Sequence, residues 1–301
     1  MRRWGQPSSG AFDATPPTSS TVPSSILPTG PDGDDGSVPP DDAAPTALPG
    51  VEGALILSRQ RDLLDRGLIN VELLNVSDTE VFFVERQLEV DGFVTEPATT
   101  KMTRVGPGRR LRVQVPYGHT VECATTGSLT ARLLVGVTPS PDSLATTPAV
   151  VELGGVDLVE GIRRRQCAAD AVDGAASVEI ASVVDAGDHA EVVVAIERTA
   201  GDVPLTFVDS TGTILVRTQS LLADEPLTLG VDAGSVVEID VSFIVNRCDP
   251  HALAEVTKRY GLDLHVEIGD ATAEPVPVDV TDLVGLLETL VERCVRAADQ
   301  D

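Results

Sequence analysis

Several kinds of residue are scarce in this chain of 301 residues. Aromatic side chains make up only 3% of it, so its cores must be built from Val, Leu, Ile and Ala rather than from large rings. Branched side chains suit the pleated, half-buried surface of a sheet, so this composition favours β-strands. Because apolar residues still make up 42% of the chain, it can bury cores for two domains of ordinary size.

Lysine is nearly absent, since Lys101 and Lys258 are the only two and arginine supplies the rest of the 22 cations. Binding to nucleic acid requires a cationic surface that neutralises phosphates and releases counterions. A formal net charge of −25 therefore excludes nucleic acid as an expected partner. The carboxylates concentrate near the end, where residues 171–301 contain 25 acidic and 7 basic side chains. The sequence also lacks an apolar run of about 18 residues, so it predicts no transmembrane segment.

Only four cysteines occur. They form two pairs of similar spacing: Cys123 with Cys167, and Cys248 with Cys294. An Asp-Leu-Val motif begins 34 residues after the first cysteine of each pair, at Asp157 and again at Asp282. This repetition predicts a duplicated domain with one disulfide bond in each copy.

The paired cysteines also bear on the cellular compartment, because structural disulfides persist in oxidising environments. Arg2 and Arg3 are typical of the start of a signal peptide, but the polar residues 5–10 stand where an apolar segment would follow. We therefore expect an extracytoplasmic protein, secreted or anchored in the envelope, whose signal is missing from this sequence. If no export signal is missing from the sequence, the protein is instead expected to be cytoplasmic.

The first fifty residues differ from the rest in composition, with 10 Pro, 7 Ser, 6 Gly and 5 Thr. Such residues cannot bury enough apolar surface to fold, so residues 1–50 are predicted to be a disordered linker. We expect a first domain over residues 51–170 and a second, acidic copy over residues 171–301.

From Val51 onward, short runs of alternating or branched apolar residues are separated by turn-forming residues. The runs lie at 68–73, 81–84, 111–115, 132–137, 178–184, 191–196, 213–216, 237–245 and 262–268. A loop is expected at 138–148. Short strands at regular spacing predict a mainly β fold, with tandem immunoglobulin-like β-sandwiches that each end in a helix.

Three helices interrupt this pattern. After Thr281, apolar residues fall on one stripe that includes the last cysteine, which predicts an amphipathic helix. Its counterpart, 157–166, is expected to form only two or three turns because Gly161 weakens it. A further short helix is predicted for 250–260, with Asp249 as its N-cap.

Metal binding is the alternative use of the cysteines. His119 lies four residues before Cys123, and His251 lies three residues after Cys248, so a zinc site could form if the domains faced each other. The histidines fall on opposite sides of their cysteines, contrary to what duplication of a metal site would give. The disulfide interpretation is therefore preferred.

Calcium is a second metal alternative, because the acidic second domain could cluster carboxylates. The segments 32–35 and 209–212 both contain aspartate and glycine, but they are typical of turns and match no calcium-loop spacing. We expect no bound metal and no cofactor.

Seven arginines are concentrated in the first domain: Arg104, Arg109, Arg110, Arg112, Arg163, Arg164 and Arg165. A solvated surface is the ordinary interpretation of such residues. The alternative is a partner-binding face that docks on the acidic second domain, on an envelope protein or on an anionic wall polymer.

The segment Asn246–Glu255, with its Cys-Asp-Pro-His block after a long strand, resembles one in uncharacterised envelope proteins of high-GC Gram-positive bacteria. The resemblance covers residues 51–301 and the paired half-domains. It implies a place in the cell envelope, and it implies no activity.

No catalytic motif occurs in the sequence, so no catalytic residue is assigned and the protein is not expected to be an enzyme. We expect a non-enzymatic binding or structural module of the bacterial cell envelope, carried on a stalk. The first alternative is an intracellular binding protein with reduced or metal-bound cysteines. An enzyme of unrecognised type comes third.

Overall fold

The computed structural model describes residues 45–57, 64, 66–120, 123, 128–143, 145–256 and 259–298. The predicted linker lies outside the described residues over positions 1–44. Its last positions contain a short strand at Thr46–Ala47, so regular structure begins before Val51. The chain is mainly β with several sheets, as the sequence predicts.

The first half of the described chain contains eight strands. They are β1 (Thr46–Ala47), β2 (Val51–Ile56), β3 (Leu68–Asn75), β4 (Val81–Val90), β5 (Thr99–Val105), β6 (Arg110–Pro116), β7 (Ala131–Thr138) and β8 (Thr147–Gly154).

The second half contains helices and eight further strands. They are α1 (Asp157–Ala175), β9 (Ala176–Asp185), β10 (His189–Arg198), β11 (Leu205–Thr211), β12 (Val216–Gln219), β13 (Leu227–Leu229), β14 (Val236–Val245), α2 (Pro250–Glu255), β15 (Leu262–Ile268), β16 (Glu274–Val278), a 3-10 turn (Thr281–Leu283) and α3 (Val284–Ala298).

The strands of the first half follow one hydrogen-bonded path in the order β5-β4-β7-β8-β2-β3-β6, with β1 parallel to β8. Strand β8 joins the two parts of this path, because its early residues pair with β7 while Leu153 and Gly154 pair in parallel with β2. Every second residue of β3, starting from Ile69, is buried. The alternating apolar residues read from the sequence therefore line a core between the two parts of the sheet.

The second half has two four-stranded sheets, β12-β14-β10-β9 and β13-β11-β15-β16. Their strand pairing repeats that of the first half: β9-β10-β14 corresponds to β2-β3-β6, and β13-β11-β15-β16 corresponds to β5-β4-β7-β8. Strand β12 has no counterpart among the described strands of the first half. The buried apolar residues of these two sheets form a second cluster, separate from the first.

Helix α1 differs from the prediction that it would end near Gln166. It has 19 residues and continues directly into β9. The reason is burial, because its early residues Val159 and Ile162 belong to the first core cluster and its later residues Ala168 and Val172 belong to the second. The helix therefore carries side chains of both cores and passes through the expected domain boundary at residue 170.

The amphipathic helix predicted after Thr281 is present as the 3-10 turn followed by α3, and it buries Leu287, Leu290 and Val291. Helix α2 begins as predicted, with Asp249 Oδ1 accepting the backbone N–H of Ala252 at 3.0 Å. It ends at Glu255 rather than near residue 260.

Two other expectations were wrong. The run 213–216 is not a strand, because Thr213 N–H donates to the carbonyl of Val216 in a turn and β12 begins only at Val216. The segment 209–212 was predicted to be a turn, yet its first three residues lie in β11.

Candidate functional site

Both disulfide bonds expected from the cysteine spacing are present, and they occupy equivalent places. Cys123 follows β6 and is bonded to Cys167 of α1, with 5.6 Å between the Cα atoms. Cys248 follows β14 and is bonded to Cys294 of α3, with 6.0 Å between the Cα atoms. Strands β6 and β14 are counterparts in the two halves. In each half, the disulfide bond therefore joins the segment after this strand to the helix that follows the last strand of that half.

The structure distributes the seven predicted arginines over several places. Arg110 and Arg112 on β6 both bind Glu72 on β3, with nitrogen–oxygen distances of 2.7 and 3.0 Å. Their hydrogen bonds, that of Arg112 first, lower the pKa of Glu72 below its ordinary value. On β5, Arg104 pairs with Glu80 at 2.7 Å. These cations are therefore engaged with carboxylates of their own half.

The three arginines of α1 have different surroundings. Arg163 is buried and lies 2.7 Å from Glu160. Arg164 forms an ion pair with Glu274 on β16, with 2.7 Å between Nε and Oε1. Arg165 is exposed, and its Nε donates to the carbonyl of Gly161 at 3.3 Å. Arg109 lies in the turn before β6 and is also exposed. The structure thus does not bring the seven side chains together, and their partner-binding role stays a prediction.

Helix α1 borders a cleft of about 290 Å³ where the first half meets strands β15 and β16. This α1 cleft is lined by Leu64, Tyr117, Ile162, Arg165, Gln166, Ala169, Asp263, Pro275 and Pro277. The four helical members are spaced 3, 4 and 7 residues from the first, so they share one face of α1. Asp263 and Pro277 are directly opposite each other on the neighbouring strands and form the facing wall.

Two polar side chains of the α1 cleft are held in place by hydrogen bonds. The Tyr117 hydroxyl donates to the carbonyl of Leu64 at 2.9 Å, and its ring meets Phe93 edge to face with centroids 6.5 Å apart. Gln166 Oε1 accepts both the backbone N–H and the hydroxyl of Thr120, at 2.9 and 2.5 Å. This pairing fixes the amide orientation and leaves Gln166 Nε2 as a donor.

The α1 cleft also contains one cation and one carboxylate. Within the part of the chain that the structure describes, neither Arg165 nor Asp263 has an ion-pair partner. This distinguishes Arg165 from the adjacent Arg164, which Glu274 neutralises. Sequence reasoning selected Arg165 from the arginine run, but it did not identify Asp263 or Tyr117, whose place in the cleft depends on how α1 lies against β15.

Histidine is the commonest acid–base side chain, and His265 and His189 each have a hydrogen-bonded partner. Thr211 Oγ1 lies 3.2 Å from His265 Nε2 on the exposed face of a sheet. Asp209 is opposite His265 in the strand register, but among the described residues no carboxylate hydrogen-bonds to this imidazole. Near the β9–β10 turn, the hydrogen bond between His189 Nδ1 and the accepting carboxylate of Asp188 raises the pKa of His189. Within the described residues, neither pair belongs to a set of three side chains that could act as nucleophile, base and orienting acid.

The cysteine and histidine residues considered for zinc do not converge. All four cysteines are in disulfide bonds, while His119 and His251 are exposed. The described residues contain no group of three His, Cys, Asp or Glu side chains that could hold a metal ion. The aspartates at 32–35 lie outside the described part of the chain.

Two buried arginines were missed by the sequence analysis. Arg86 on β4 is 4% exposed, and its Nε has no hydrogen-bond partner among the described residues. Arg198 at the end of β10 is 1% exposed, and its Nη2 donates to the carbonyl of Val203 at 2.8 Å. Arg86 follows a register shift in β4, so the alternation of the sequence did not show that it faces inward.

No protein-family model matches the chain, and no curated protein matches it. The solved structures that it resembles are distant. Red sea bream transglutaminase is 11% identical with a TM-score of 0.23, over 77% of this chain and 32% of that enzyme. A Porphyromonas gingivalis W83 protein of unknown function is 13% identical with a TM-score of 0.22, over 76% of this chain and 98% of that one.

The E. coli chaperone DraB is 12% identical with a TM-score of 0.16, over 70% of this chain and 89% of the chaperone. This chain spans about a third of the transglutaminase, and likenesses with TM-scores this low assign neither a fold nor a function. Among the described helices, none combines the length and the apolar character that crossing a membrane requires.

Proposed function

We propose that the protein is a non-enzymatic binding or structural module of the bacterial cell envelope, built from two duplicated immunoglobulin-like sandwiches over residues 51–170 and 171–301. The observation that supports it most directly is the equivalent disulfide in each half, Cys123–Cys167 and Cys248–Cys294. Bonds of this kind persist outside the cytoplasm and stabilise domains whose cores lack large aromatic anchors.

The strand pairing supports the immunoglobulin-like part of the proposal. In the second half, β9-β10-β14-β12 has the A-B-E-D neighbour relations of such a domain, and β11-β15-β16 has the C-F-G relations. Repetition of this pairing in the first half supports duplication. The shared helix α1 holds the halves in one arrangement, which is useful to a module that presents a surface at a fixed distance from its anchor.

The partner in this proposal is an envelope protein or an anionic wall polymer. Arg109 and Arg165 support it, because both are exposed and neither has an ion-pair partner within the described residues. An exposed guanidinium can bind carboxylate or phosphate through two parallel hydrogen bonds. The alternative of an intracellular protein with reduced cysteines has no comparable structural support, since all four cysteines are bonded.

Counting thiols in cells that make the protein tests this proposal. Denatured cell extract is treated with a maleimide mass tag, with and without prior reduction. We expect no tag before reduction and four tags after it, together with cleavage of the protein when intact cells are treated with protease. A Cys123→Ser, Cys167→Ser variant serves as the control and should accept only two tags after reduction. Four tags without reduction and full protection from protease would contradict the proposal and favour the intracellular alternative.

A further inference from the structure

The α1 cleft combines the features of a small-molecule site. Clefts at the junction of two packed units, with apolar walls and a few placed polar groups, are common ligand sites. Ile162, Ala169 and Pro277 supply apolar surface from the helix and from β16. At about 290 Å³ the cleft is at the small end of the range for ligand pockets, which restricts its occupant to a compact molecule.

Its walls are organised before any ligand binds. The hydrogen bond from Tyr117 to Leu64 orients the ring, and the two hydrogen bonds from Thr120 orient the Gln166 amide. The Cys123–Cys167 bond adds a covalent constraint on α1, because Cys167 is the next residue after Gln166. A fixed wall lowers the entropic cost of ordering side chains on binding.

The charges of the cleft are complementary to a molecule that carries both signs. Nε of Arg165 is directed to the carbonyl of Gly161, and the remaining guanidinium nitrogens have no hydrogen-bond partner within the described residues. The Asp263 carboxylate likewise has no hydrogen-bond partner among the described residues. Gln166 Nε2 donates to no described residue. A carboxylate would satisfy Arg165 and Gln166 Nε2, and an ammonium group would satisfy Asp263.

We infer that the α1 cleft binds a small zwitterionic ligand with an apolar body, of the class of short peptides. The ligand carboxylate binds Arg165 and Gln166, its ammonium group binds Asp263, and its side chain packs against Ile162, Pro277 and the Tyr117 ring. The inference rests on the proposed role as a binding module, but not on the proposed compartment.

Titration of the purified full chain with the dipeptide L-alanyl-L-leucine, followed by ¹H–¹⁵N NMR, tests the inference. We expect saturable shifts for the wild type. Arg165→Gln and Asp263→Asn should each raise Kd by about tenfold or more, because each removes a charge-assisted hydrogen bond. The matched control is Arg217→Gln, an exposed arginine of β12 outside the cleft, which should leave Kd unchanged. Thermal melting of each variant establishes that it is folded.

The same dipeptide with an acetylated amine and an amidated carboxyl group separates charge recognition from apolar contact. It should not bind at concentrations that saturate the cleft with the free dipeptide. The inference is overturned by an absence of saturable shifts, by equal binding of the blocked dipeptide, or by wild-type Kd in either cleft variant. These outcomes concern purified protein, so they are distinguishable from a failure of the thiol and protease experiment in cells.

Discussion

Arg164 of helix α1 and Glu274 of strand β16 form an ion pair, with 2.7 Å between Nε and Oε1. The contact joins a helix that contributes to the first core with an edge strand of the second half. The Arg164 side chain is 53% exposed and that of Glu274 is 16% exposed, so most of the attraction is screened by water. The coupling between the halves must therefore come mainly from the apolar residues of α1.

This relationship predicts that the two halves unfold together. Val172→Ala should lower the free energy of unfolding by roughly 1–3 kcal/mol and shift a single calorimetric transition that includes both halves. The reason is that unwinding α1 exposes Val159 and Ile162 in the first core as well as Val172 in the second. Two separate transitions in the wild type would contradict the prediction. Arg164→Ala is the control and should change stability by less than about 1 kcal/mol.

The Asn75 side chain is predicted to be essential to the turn between β3 and β4. It is fully buried, and its Nδ2 donates to the carbonyls of Thr79 and Val105 at 2.8 and 3.0 Å. Its Oδ1 accepts from the backbone N–H and hydroxyl of Ser77. Asn75→Ala should therefore lower the free energy of unfolding by roughly 1–3 kcal/mol, measured in urea, because the buried carbonyl of Val105 loses this donor. Ser77→Ala removes only one hydroxyl and should cost clearly less; equal losses would contradict this account.

Some of this architecture is readable from the sequence and some is not. The long alternation correctly predicted strand β14, and the repeated cysteine spacing correctly predicted the two disulfide bonds. The expected loop at 138–148 overlaps the first two residues of β8, and the rest of that strand was not predicted, although a proline is tolerated at the start of a strand. The second half of α1 was missed because its alanines acquire an apolar environment only when β9 and β16 pack against them. Likewise, Arg165 was visible in the sequence, but its place in the same cleft as Asp263 is a product of tertiary packing.

Burial of Arg86 predicts an unusual stabilising substitution. Its guanidinium is in the first half with no ion-pair partner among the described residues, and burial lowers its pKa. Replacing a buried, unpaired charge with an apolar side chain of similar length removes the desolvation cost. Arg86→Met should therefore raise the free energy of unfolding by about 1–4 kcal/mol, measured by urea denaturation. Arg104→Met on the adjacent strand changes an exposed residue and should give no such gain. A loss of stability in Arg86→Met would contradict the prediction, because it would show that polar partners stabilise the buried guanidinium.

The pairing of Asp185 with Arg293 predicts how stability responds to acid. Hydrogen bonds from both terminal nitrogens of Arg293, each 2.7 Å long, and from the Gly187 backbone lower the pKa of Asp185 to about 2. A carboxyl group whose pKa is lowered by folding stabilises the native state above its ordinary pKa of 3.8. That contribution is lost as the pH falls from about 4 toward 2, because the folded protein must then take up the proton.

Asp185→Asn should therefore lower the melting temperature at pH 7. Between about pH 4 and pH 2, the melting temperature of the variant should decrease less steeply with falling pH than that of the wild type. The pair fastens α3 to the β9–β10 turn, so the variant should also expose the amide protons of α3 to faster hydrogen exchange. Asp202→Asn changes an exposed aspartate in another loop of the same half, and it should leave both measurements unchanged. If Asp185→Asn and the wild type lose stability in parallel over this pH range, the Arg293 pair is not what holds the turn.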